Sequence, residues 1–264
     1  MIVKWNELKW QVISQLDRQI PVLIPLGSVE QHGRHLPLFT DTAQVQAIAD
    51  RLDAKLEQRV LTLPTLWLGS SDHHLDFPGT LSVRPSLYTE ILRQLATSIL
   101  GAGFQRLFFL NGHGGNETPA AQALAELVSS QGPAQHALLA LASWWAVGKP
   151  DALQLDMASP SISHACEYET SLMLYLHSNL VDLDAASDVE PVFDSAWITG
   201  EKRVSLFRRF SSMTKTGNLG KAKAASKRKG EAILQGVVDD VERFLIEFSD
   251  WPLPSTIGPS ETHQ

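Results

Sequence analysis

The chain has 264 residues, 44% hydrophobic and 19% charged, which is enough apolar material for one large domain. Its net charge of −7 and isoelectric point near 5.7 argue against general nucleic-acid binding. The single cysteine, Cys166, excludes an intramolecular disulfide, and no apolar run approaches the ~18–20 residues needed to span a bilayer. MIVKWNELKW lacks the apolar stretch of a signal peptide, so a cytoplasmic protein with neither membrane nor nucleic-acid partners is expected.

VLIPLG (22–27) reads as a buried strand. The next segment, 42–56, has helical spacing, with Thr40 or Asp41 as its cap. A strand is expected over 59–67 and a helix over 86–102, stopped by Gly101 or Gly103. RLFFL (106–110) is another buried strand, followed by a helix at 117–130, a strand at 136–143 and a helix at 165–178. Residues 183–215 look irregular, with short strands near 191–198 and 203–210. A long helix fits 221–248, where Ile233, Val237, Val238, Val241, Phe244 and Leu245 recur on one face. Strands alternating with helices imply parallel βαβ units, hence a three-layer α/β/α sandwich around a mostly parallel sheet. No repeat or linker divides the chain, so one domain is expected over 1–249, with 250–264 a loose, Pro- and Ser-containing tail.

Two loops carry the strongest chemical signal. SVEQHGRHLPLFTDT (28–42) follows the first strand and NGHGGN (111–116) follows the strand at 106–110. Ligands of open parallel sheets bind at the carboxyl ends of strands. Glu30, His32, Asp41 and His113 thereby form an oxygen and nitrogen set that zinc, manganese or iron accepts. Glu30 and His32 are two apart, so on extended chain they point the same way, toward one metal or two adjacent ones. Asp41 either caps a helix or bridges two metals about 3.5–4 Å apart. NGHGGN alone also admits phosphate at a helix N-terminus, but neither G-x-G-x-x-G nor a Walker sequence accompanies it.

GSSDHHLDFPGT (69–80) sets His73 and His74 before a Phe-Pro-Gly turn, where they serve either a site or only a structured turn. HACEYETS (164–171) places His164, Glu167 and Glu169 at a helix start, where the dipole favours acids whatever their role. His164 beside Cys166 also raises a thiol nucleophile as an alternative. Residues 201–230 hold ten of the 22 Lys and Arg and one acid, Glu201. This stretch serves as a solvated face, a site for an anionic substrate, or a contact with an acidic neighbouring subunit.

Taken together, these segments resemble the creatininase (creatinine amidohydrolase) family. Gly27 to Asp41 matches G-S-x-E-Q-H-G-x-H-L-P-x-x-T-D, and Ser71 to Thr80 matches S-x-x-H-x-x-F-P-G-T. Asn111 to Asn116 matches N-G-H-G-G-N, and His164 to Ser171 matches H-A-x-x-x-E-T-S. The likeness runs from about residue 6 to 248. It implies an α/β/α sandwich with two divalent metals, zinc foremost and manganese or iron as alternatives, at the carboxyl edge of the sheet. Glu30, His32, Asp41, His113 and Glu169 are then metal ligands, with Asp41 bridging. His164 is the acid/base group, oriented by Glu167, and Ser71, His74, Gly114, Gly115 and Asn116 face the substrate. Family members form homo-oligomers, commonly hexamers.

Two departures stand out. Creatininases proper carry a glutamate ligand where this chain has Gly115. Before the last helix, Ala222 and Arg228 replace a family proline and glutamate, while Gly217, Gly220, Lys229 and Gly230 are kept. The expected activity is metal-dependent hydrolysis of a non-peptide C–N bond, in a cyclic amide or formamide of a small molecule. A peptidase maturing a small peptide and a non-catalytic phosphate- or nucleotide-binding module are the alternatives.

Overall fold

The computed structural model describes residues 4–148, 155–159, 161–190, 204 and 206–254. A short helix, α1 (Trp10–Gln15), leads into β1 (Val22–Leu26), α2 (Thr40–Leu56) and β2 (Leu61–Thr62). Next come α3 (Pro85–Gly101), β3 (Arg106–Asn111), α4 (Glu117–Ser129), β4 (Leu138–Ser143) and α5 (Trp144–Val147). The chain continues through α6 (Glu167–His177), β5 (Asp188–Val189), β6 (Gly220–Lys221) and α7 (Lys227–Asp250).

Four strands form a parallel sheet in the order β2-β1-β3-β4. Successive residues of a strand face opposite sides of its sheet, and the two central strands use this fully. Val22, Ile24, Leu26, Leu107 and Phe109 pack with Tyr88 and Leu92 of α3 and Leu124 of α4. Leu23, Phe108 and Leu110 pack on the other side with Val45, Ile48 and Leu52 of α2, Leu172 of α6 and Ile233 and Val237 of α7. Every β1 and β3 residue is buried, so their sequences read as unbroken apolar runs rather than alternating ones. The result is the expected α/β/α sandwich.

β1 has β2 on one side and β3 has β4 on the other, so the crossovers that leave β1 and β3 run in opposite directions. That reversal opens a crevice beyond the carboxyl ends of β1 and β3, where open α/β sheets bind ligands. Leu26 and Asn111 are partners at that edge, so the loops carrying Glu30 and His113 start side by side.

Several local expectations give way. The strand expected over 59–67 pairs regularly only at Leu61 and Thr62. Pro64 has no N–H to donate, and contact resumes only at Leu66, which bonds to Gly27 and Pro25. Neither Thr40 nor Asp41 caps α2; the cap position is Phe39, without a side-chain bond. Thr40 Oγ1 donates to Pro37 O at 2.7 Å, and the Asp41 carboxylate turns toward the crevice. The helix expected from 221 begins at Lys227, where Ser226 accepts from the Lys229 N–H. Residues 220–224 instead form β6, paired antiparallel with β5, and a 3-10 turn. No strand forms at the described residues 204 and 206–209, and 210–212 is a 3-10 turn. The strand expected at 191–198 and the tail from 255 onward lie outside the described residues. Gly103 closes α3 with φ +94°, as expected of a glycine stop. Among the described residues, no helix is long and apolar enough to cross a membrane.

Candidate metal centre

Glu30 and His32 sit on the loop leaving β1, and Asp41 sits in the first turn of α2. His113 lies two residues past β3, and Glu169 lies in the first turn of α6. All five are buried. Glu30, His32 and Asp41 present ligand atoms within 4.8 Å of one another, as do His32, His164 and Glu169.

Backbone carbonyls fix the tautomers of the two central imidazoles. A carbonyl only accepts, so His32 Nδ1 donates to Glu30 O at 3.1 Å. Its Nε2 is left facing Asp41 Oδ1 at 2.9 Å and Glu169 Oε1 at 3.9 Å. His113 Nε2 lies 3.1 Å from both Ser70 O and Ser71 Oγ. Its Nδ1 therefore faces Glu30 Oε2 at 3.2 Å and Asp41 Oδ2 at 3.1 Å. Anchoring the outer nitrogen in this way is how ligand imidazoles are oriented. Asp41 uses both oxygens, one toward each histidine, and Ser28 Oγ donates to Oδ2 at 2.7 Å.

Among the described residues, the buried Glu169 Oε2 has no hydrogen-bond partner, and the buried Glu30 Oε2 is faced by His113 Nδ1 at 3.2 Å. Burying a carboxylate oxygen unsatisfied is costly. Three carboxylates and two inward-facing imidazole nitrogens around these oxygens fit divalent metal.

The electrostatics agree. Burial opposes charge on His32, but Asp41, Glu169 and Glu30 outweigh it and raise its pKa to about 10. His113 is likewise raised well above the ordinary value against the pull of burial, chiefly by Glu30 and Asp41. Burial pushes Glu169 up to about 7, partly offset by His32. Burial also pushes His164 down, reinforced by His32, to about 3. The protons held on His32 and His113 stand where cations would balance the carboxylates.

His164 lies on the loop before α6, and the next residue, Ala165, has φ +48°, a conformation disfavoured for a residue with a Cβ. Leu219 N donates to His164 O at 2.8 Å and pins this bend. His164 Nε2 lies 2.8 Å from Gln31 O, so it carries the hydrogen, and Nδ1 is left as the basic atom, 3.6 Å from Glu30 Oε1. Gln31 also places its amide 2.8 Å from His74 Nδ1. Gln31 and Ser28 were not singled out in the sequence. Ser28 meets Asp41 13 positions away and Gln31 meets His74 and His164 43 and 133 positions away, and no local spacing reveals such contacts.

Other expected site residues fall elsewhere. Glu167 does not orient His164: its oxygens bond Lys229 Nζ at 2.5 Å and the Ser159 N–H at 2.7 Å. Asn116 does not face the cavity. Its amide ties Ser70 N to Gly27 O, holding three loops together. Ser71 is buried behind His113 rather than open to substrate. His74, Gly114 and Gly115 do line the cavity, and so does His73. Burial pushes the Cys166 thiol up to about 12, which removes the thiol nucleophile.

The cavity over this cluster measures about 730 Å³. Trp145, Ile162, Leu206, Phe207, Phe210 and Met213 give it an apolar outer wall, with Arg208 the cation among its lining residues. Of the basic stretch, Lys229 pairs with Glu167, Arg209 with Asp76 and Lys221 with Glu190. Lys202 and Arg203 lie outside the described residues.

The family model for creatininase, described as creatinine amidohydrolase, matches residues 6–245. The chain belongs to the creatininase family. A mycofactocin precursor peptide peptidase of Mycobacterium tuberculosis H37Rv is 30% identical, over 94% of this chain and 93% of that protein. The creatinine amidohydrolase of Pseudomonas putida is also 30% identical, over 83% of this chain and 88% of that protein. Among solved creatininases, a manganese form matches with a TM-score of 0.77 at 25% identity, covering 95% of this chain and 100% of that one. A mutant of the Zn–Zn type matches with the same TM-score at 26% identity and the same coverage.

Proposed function

We propose that this creatininase-family chain is a metal-dependent hydrolase of an amide-type C–N bond, with a cyclic amide or formamide of a small molecule as substrate. The observation that carries the reading is the buried cluster of three carboxylates, one with an unpartnered oxygen, around two imidazoles whose outer nitrogens are fixed by carbonyls. Glu30, Asp41 and His113 would hold one divalent metal, and His32, Asp41 and Glu169 a second, with Asp41 shared. Bound there, zinc or manganese supplies Lewis acidity toward a carbonyl oxygen and makes water more acidic.

The chain's own residues do the rest. His164 is neutral, with Nδ1 open to take a proton and return it to the leaving nitrogen. Gly114 and Gly115 line the cavity, and their N–H groups serve as donors to the developing oxyanion. His74, held by Gln31, lines the same cavity and would contact the substrate there. Gln31 positions both His74 and His164.

A small peptide is the second reading, favoured by the volume and apolar wall of the cavity and by the peptidase relatives. The phosphate-binding reading is disfavoured because Glu117 opens α4 and accepts from Ser143 Oγ at 2.6 Å, which puts an anion where phosphate would sit.

Elemental analysis of purified protein, with assays on cyclic amides, formamides and short peptides, tests the reading. About two metals per chain with turnover of a non-peptide amide is expected. Turnover of peptides alone would select the second reading. Metal-free protein without hydrolytic activity would overturn both.

A further inference from the structure

We infer that His73 is a metal ligand, completing the position held by Glu30 and His113. The inference rests on the two-metal reading above and adds a donor to it. Glu30, His73 and His113 present ligand atoms that all lie within 4.8 Å of one another. The rings of His73 and His113 are 5.7 Å apart and nearly parallel, at 16°.

Gly115 shows how closely this pair is built. A Cβ there would lie 2.2 Å from Ser70 O, 2.4 Å from His113 Nε2 and 2.8 Å from His73 Cε1. No side chain fits at 115, and His73 and His113 come together over its bare backbone.

The other imidazoles around the cavity are committed. His74 Nδ1 faces the Gln31 amide, His164 Nε2 faces Gln31 O, and His32 and His113 are held by carbonyls. Neither ring nitrogen of His73 has a hydrogen bond among the described residues, and the side chain is only half-buried, so metal can reach it. With His73, one position would have four protein donors, Glu30, His73, His113 and Asp41, the number that zinc takes in closed sites. The other keeps His32, Glu169 and Asp41, with a place open for a reactant.

The test is a zinc titration of metal-stripped full-length protein, wild type against His73→Ala and His73→Asn, with His136→Ala as an exposed-histidine control. Circular dichroism and the metal-free melting temperature report on folding. Two zinc ions are expected for wild type and the control. In folded His73 variants, one of the two sites should weaken by at least tenfold while metal-free melting is unchanged. In the cobalt-loaded protein, one fewer shifted imidazole N–H resonance should appear. Two sites of unchanged affinity in either folded variant would overturn the assignment and leave the two-metal reading intact. Fewer than two zinc ions in wild type would overturn both. If His73→Ala fails to fold, His73→Asn decides.

Discussion

Asp41 Oδ1 lies 2.9 Å from His32 Nε2, and both side chains are sealed from water. The other Asp41 oxygen reaches His113 at 3.1 Å, so one carboxylate touches both halves of the cluster. Asp41→Ala should therefore drop metal content to at most one per chain. Its activity should fall by more than the roughly 10–100-fold typical of losing an outer partner. Elemental analysis showing full content with full activity would refute the shared position.

His164→Gln should keep metal and KM near wild type and lower kcat by ~10²–10⁴-fold, the usual worth of a positioned proton carrier. Glutamine keeps a hydrogen bond to Gln31 O but cannot cycle a proton at the position of Nδ1. Loss of metal would instead make His164 a ligand, and unchanged kcat would remove it from the chemistry.

Creatinine should be a poor substrate. Creatininases proper place a carboxylate at the position of Gly115, where this chain has no room for any side chain. Turnover at about 10 s⁻¹ or above, typical of a good enzyme, would show that the carboxylate is dispensable.

Metal binding should release protons. His32, raised to about 10, and His113, raised well above its ordinary value, are protonated near neutrality in the metal-free protein. The ligating form is neutral, so affinity rises with pH. Calorimetry in buffers of different ionisation enthalpy counts the protons, and a count of zero at neutral pH would contradict this charge balance.

Metal-free stability should have the opposite slope. A group with a raised folded pKa contributes stability below its unfolded value and loses it as pH climbs to the folded one. For Glu169 that window runs from 4.5 to about 7, and for His32 from 6.5 to about 10. Metal-free protein should thus melt lower at pH 9 than at pH 6. Equal melting temperatures would show that other groups dominate.

Much of the fold was legible because β1 and β3 are buried on both faces and leave unbroken apolar runs. β2 was overread because an apolar sequence does not show that Pro64 removes a donor. The start of α7 was misplaced because the β5–β6 pairing joins residues about 30 apart. Glu30, His32, Asp41 and His113 could be picked out as a set because loops following adjacent strand ends must converge, whereas Glu169, at the start of α6, was indicated only by the family resemblance. Glu167 was misjudged since its partner, Lys229, lies 62 residues away. Pattern distinguished neither Asn116 as a tie between loops nor His73 as part of the cluster.

The metal cluster and the cavity wall come from separable parts of the chain. The cluster is delivered by loops and helix starts packed on the sheet, each side chain held by backbone or buried partners. The wall over 206–213 has no strand and only one 3-10 turn, and Arg209 and Ser211 fasten it to Asp76. Substrate choice can therefore drift by substitution in that strip while the reactive machinery beneath is left alone. One scaffold can in this way diversify its targets without reinventing its chemistry.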